Sequence, residues 1–192
     1  YLDDLDRGWQ GNAKDIRKLS ALLNAVRDIA SESRGVSFRI SLRSDVYYLV
    51  RTSDESTDKI EGSVIWYSWT NHEILALLVK RVEQFFGNAK TTGELIKLSQ
   101  PSLAQFLDQV MESVFSGHGN WARIPTYRML MSLVRKRPRD LVKLCTLAAR
   151  NARTTKDAII STKNFNSIFE EYSQGRLQDT VNEYRSELPD IE

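Results

Sequence analysis

Apolar residues recur every three or four positions through most of this chain, and the period shortens to two only near its start. Residues 12–31 carry Ile16, Leu19, Leu22, Leu23, Val26 and Ile29 on one helical face. The run Val36-Ser37-Phe38-Arg39-Ile40-Ser41-Leu42 then alternates apolar with polar or basic side chains, the period of a strand with one buried face. A short helix is expected over 44–51, a polar loop over 53–58, and a third strand over 62–68, where Val64, Ile65, Trp66 and Tyr67 form a β-prone run. From Thr70 onward the helical period predicts helices over 71–86, 102–115, 124–135, 138–153 and 163–188. Pro101 and Pro138 suit first-turn positions, where a missing amide costs nothing. Gly117-His118-Gly119-Asn120 reads as a break between two helices.

The opening segment, Tyr1-Leu2-Asp3-Asp4-Leu5-Asp6-Arg7, reads as the end of a buried strand that delivers carboxylates to a sheet edge. The expected fold is therefore an α/β remnant of about three parallel strands over 1–69, a helical lid over 70–153, and a charged helical segment over 154–192, helix-dominated overall. With 192 residues, 41% hydrophobic and 27% charged, there is enough chain for one domain with a sizeable core or two small ones. Cys145 is the single cysteine, which excludes an internal disulfide framework, and its apolar helical surroundings suit a buried thiol. His72 and His118 lack metal-ligand spacing. No apolar run approaches the roughly 20 residues that span a bilayer, so no membrane partner is expected and a cytoplasmic location is the default.

Candidate chemistry concentrates at two places. Adjacent strand residues point to opposite faces, so Asp3 and Asp4 take different roles only if one ends the strand and the other begins the turn; otherwise they form a solvated acidic turn. Arg43, at the C-terminal edge of the second strand, would converge on them in the crevice where open α/β sheets bind ligands, or would pair locally with Asp45 or Asp6. The second place is the basic run Arg135, Lys136, Arg137, Arg139 and Lys143. It reads as a phosphate-sensing site, as solvated charge complementing a helix end, or as a nucleic-acid surface. A net charge of +2 and the absence of interleaved aromatics do not favour the last. The stripe Phe165, Ile168, Phe169, Tyr172, Leu177, Val181, Tyr184 and Leu188 is core or a partner face.

Three segments carry a family resemblance. Tyr1 to Trp9 resembles the Walker B strand of P-loop ATPases related to the KAP and STAND groups. Ile40-Ser41-Leu42-Arg43-Ser44-Asp45-Val46-Tyr47 resembles their next core strand, which ends in a sensor residue. Arg135 to Cys145, with Arg137-Pro138-Arg139-Asp140-Leu141 at its centre, resembles the start of a lid helix bearing a second sensor. The resemblance implies ATP and magnesium as cofactors. In it Asp3 would orient magnesium through water, Asp4 would polarise the attacking water, Arg43 would sense the terminal phosphate, and Arg139, with Arg137 as its alternate, would report lid closure.

The glycine-rich phosphate loop of that family has no counterpart here. Gly87-Asn88-Ala89-Lys90-Thr91 has alanine where a second glycine is needed and follows a helix, not a strand. The resemblance thus implies the C-terminal part of a larger ATPase, inactive alone, whose unpaired sheet edges are covered by the missing N-terminal part, by a second copy, or by a collapsed sheet. It further implies a molecular switch, of a kind found in bacterial antiviral defence or signalling, acting as a homo-oligomer. The rival expectation is a noncatalytic helical module for interaction or nucleic-acid binding.

Overall fold

The computed structural model describes residues 1–53, 60–88 and 90–184. Most of the loop expected over 53–58, the end of the helix expected to reach 188, and Ala89 lie outside the described residues. The chain divides into two compact units, Tyr1–Tyr67 with 178–184, and Ser68–Leu177.

In the first unit Asn12 caps helix α1, Ala13–Glu32, by accepting from the Asp15 amide at 2.9 Å. Helix α2, Ser44–Ser53, packs on it, and Leu19, Leu23, Val46 and Val50 make a small core edged by Leu5, Trp9, Leu22, Ile40, Leu42 and Ile60. The first two expected strands shrink to one parallel bridge: the Leu2 amide donates to the Arg39 carbonyl at 2.8 Å, and the Ser41 amide donates to the Leu2 carbonyl at 3.0 Å. The third does not form. Residues 60–63 make a 3₁₀ turn, and 64–68 have no assigned ladder, with Ile65 77% and Tyr67 84% exposed. A run rich in β-branched and aromatic residues becomes a strand only where a neighbour supplies hydrogen bonds and a packing surface. A three-stranded parallel core is accordingly absent among the described residues.

The second unit is helical. Thr70 and Glu73 form a capping box at the start of α3, Asn71–Phe85, and Thr91 and Glu94 form another at α4, Thr92–Ile96. Ser99 caps α5, Gln100–Gln105, with Pro101 in the first turn. The helix expected over 102–115 ends there. A hairpin follows instead, β1 Val114–Ser116 paired antiparallel with β2 Ala122–Pro125, and Gly117-His118-Gly119-Asn120 lies in its connection rather than between helices. The ring of Phe115, a core residue 1% exposed on β1, folds over Gly117, where an added Cβ would lie 2.1 Å from it. Helices α6, Thr126–Leu133, α7, Pro138–Thr155, and α8, Thr162–Tyr184, complete the order.

Ile74, Leu75, Leu103, Leu130, Leu144, Phe165 and Ile168, drawn from five helices, are buried in one core. Polar groups fix where α8 begins. The Glu112 carboxylate accepts from the Thr162 amide at 2.8 Å and hydroxyl at 3.0 Å, while the Ser116 amide donates to that hydroxyl at 2.9 Å. Asn164, fully buried, accepts from the Ser161 amide at 2.7 Å and donates to Asp157 at 2.8 Å and Asn151 at 3.1 Å. Each buried polar group of that hub thus has a partner, as burial requires.

Candidate functional site

The bridge between Leu2 and Ile40 sets the residues after each side by side. Asp3 Oδ1 accepts from the Asp4 amide at 3.0 Å and from the Ser41 hydroxyl. Asp4 is exposed and sits in the left-handed region at φ 56°, where the short polar side chains of Asp and Asn are tolerated better than most. Its carbonyl accepts from the Arg7 amide at 3.1 Å, so the acidic segment turns immediately. Asp3 and Asp4 are both exposed; they differ in that the Asp3 carboxylate accepts two hydrogen bonds and Asp4 takes the left-handed turn.

Arg43 lies among carboxylates. Its guanidinium donates to both oxygens of Asp45, Nε to Oδ1 at 3.2 Å, and lies 3.8 Å from Asp6 and 3.9 Å from Glu183. Burial pulls its pKa down, but the Asp45 hydrogen bond and the charges of Asp45, Glu183 and Asp6 outweigh it and raise the pKa. The local salt bridge foreseen as the alternative for Arg43 is therefore present, with Glu183 added. Asp45 follows at a spacing legible in the sequence, whereas Glu183 comes from the far end of the chain and had no local signal.

Arg137 and Arg139 stand in the second unit. Arg137 is the N-cap of α7 and Arg139 lies in its first turn, both exposed. The functional-looking group there is the next residue. Asp140 is 5% exposed and pairs with Arg176 of α8 at 3.0 Å. Tyr172 lies close enough for its phenol to be pushed up to about 12, by burial first and by the Asp140 charge second. Asp140 shares the inward side of α7 with Leu141 and Leu144, and an acid so close to an apolar face is the signal that would have found it.

The residues of the first unit do not by themselves fit a nucleotide with magnesium. Arg43 is occupied by carboxylates, and no group of three or more His, Cys, Asp or Glu able to hold a metal occurs among the described residues. Gly87 ends α3 at φ 80°, Thr91 opens α4, and the Lys90 ammonium lies 5.2 Å from the Phe106 ring centre, so this segment is a helix-to-helix connection and not a phosphate cradle. No helix among the described residues is long and apolar enough to cross a membrane.

The family described as FunZ-associated C-terminal helical domain matches residues 72–181, more than half of the chain, and the chain belongs to that family. No curated protein and no solved structure matches it.

Proposed function

We propose, with that family membership as the premise, that this chain is a portion, inactive alone, of a larger P-loop ATPase of the KAP and STAND kind, in which α3 to α8 form the C-terminal helical domain and residues 1–67 form one edge of the nucleotide-binding core. The observation that carries the reading is the parallel bridge between Leu2 and Ile40 across α1. Two extended segments lying parallel with a helix between them form the strand–helix–strand unit of α/β sheets, and ligands bind at the C-terminal ends of such strands. Asp3, Asp4 and Ser41 occupy those ends. In this reading the amides that hold phosphate belong to another part of the larger protein, and this chain contributes acids beside them.

The test is ATP hydrolysis, with magnesium, by the larger protein and by this chain alone. The chain alone turns over no ATP, and Asp4→Asn in the larger protein abolishes hydrolysis while nucleotide binding is retained. Unchanged hydrolysis in that variant returns Asp3 and Asp4 to a solvated turn and leaves a purely interacting helical module.

A further inference from the structure

Helix α7 has two opposite faces of different chemistry. Leu141, Leu144, Ala148 and Ala152 are buried on one side. At about 100° per residue, Arg139, Arg150 and Arg153 fall within a strip roughly 60° wide directly opposite, and Lys143 falls at its edge. The three arginines are exposed, and with a rise of about 1.5 Å per residue they span roughly 21 Å. Arg135 and Lys136, both exposed, continue the positive charge into the turn before the helix, and Lys156 continues it beyond the end.

Among the described residues no carboxylate is within ion-pair distance of Arg139, Arg150 or Arg153, whereas Arg27, Arg43, Arg51 and Arg176 each have one. The acid on α7 itself, Asp140, is turned into the core and held by Arg176. Asp157, just past the helix, is engaged by Thr155 and Asn164.

We infer that this strip binds the phosphate backbone of double-stranded nucleic acid without reading its sequence. A duplex presents about one negative charge per 1.7 Å of axis, so a duplex segment as long as this row, roughly 21 Å, carries about a dozen phosphates, of which those on the near side meet the arginines. The other side chains of the exposed face, Val142, Thr146 and Ala149, offer no aromatic ring for stacking on single-stranded bases and no large anchor for a protein pocket. A membrane surface is disfavoured because the apolar face of α7 lies in the core and has nothing left to insert. Arginine and lysine in a row, with no Asn or Gln at the strip's centre, give backbone contacts rather than base recognition. The inference stands on the second unit alone and does not depend on the ATPase reading.

The test is fluorescence anisotropy of a labelled duplex of about 25 base pairs with this chain, titrated from about 50 mM salt upward. The expected result is binding that weakens steeply with salt. Arg139→Gln with Arg150→Gln and Arg153→Gln should then weaken it by roughly tenfold or more and reduce the log–log salt slope by about 3. Arg17→Gln with Lys18→Gln on α1, an equally exposed pair, should leave affinity within about twofold. An unchanged melting temperature certifies the triple variant as folded, and if it does not fold, Arg150→Gln alone should still reduce the slope by about 0.9. No binding at low salt, an equal loss in the α1 variant, or displacement by polyglutamate as readily as by unlabelled duplex overturns the inference, the last in favour of an acidic protein partner.

Discussion

Among the described residues the second unit buries 22 apolar side chains in one core, and the first buries five, four of them in one cluster. The chain lengths do not account for this, since the first unit has two good amphipathic helices of its own. What differs is the third participant. In the second unit one apolar face of each long helix meets the shared core, while in the first the extended segments at 1–3 and 39–41 share a single bridge and 64–67 has no ladder. Trp66 meets the edge of Tyr47, 5.5 Å between ring centres, but remains 60% exposed. Helices close their hydrogen bonds internally and can form before they are packed; strands need a neighbour for both hydrogen bonds and burial. The comparison teaches that here the second unit closes its core from its own elements and the first, among the described residues, does not.

Truncating the two cores separates them most sharply. Leu130→Ala, at a site with no exposure, should cost the second unit about 3 to 5 kcal/mol, whereas Val46→Ala should cost the first about 1 to 2 kcal/mol. Hydrogen exchange followed unit by unit checks this, and equal losses would dissolve the distinction. Acid comes next. Glu73 and Glu94 have lowered pKa values because the backbone amides and then the hydroxyls of Thr70 and Thr91 donate to them, and Asp157 is lowered by Thr155 and Asn164. A carboxyl depressed in the folded state contributes fully above its unfolded value, 4.5 for Glu and 3.8 for Asp, and loses that contribution as pH falls through the folded value. All three lie in the second unit, so its melting temperature should fall below about pH 4, and Glu73→Gln should make that fall smaller. The smallest effect runs the other way. Lys143 lies over Gly175 in α8, where an added Cβ would come 2.7 Å from Nζ, the movable tip of a long side chain. Gly175→Ala should therefore stabilise the second unit by about 0.5 to 1 kcal/mol, read as a raised urea midpoint.

Legibility in the sequence followed the same division. The helix at 71–85 was legible from its helical period, and the structure adds a capping box of Thr70 and Glu73 at its start. The period at 138–155 was equally clear, with Pro138 in the first turn. The hairpin was not, because its strands have only three and four residues, one ends in Pro125, and their apolar positions merge with the helical pattern on either side. Alternation over 36–42 correctly located an extended segment but could not show that its neighbours would be missing, since pairing is a property of distant residues. At the candidate site the Asp45 partner of Arg43 was readable two residues away, but the Asp140–Arg176 pair joins two helices and leaves no pattern in either.

Cys145 gives the helical half a clock. Its thiol is pushed up to about 12 by burial, and it is the chain's single cysteine. Because thiolate is the reacting species, this shift slows alkylation near neutral pH while α7 stays packed, although the residue is only partly buried. A rise in the rate at which a thiol reagent marks this protein then reports loosening of the packing around α7, read from one atom and without any introduced label.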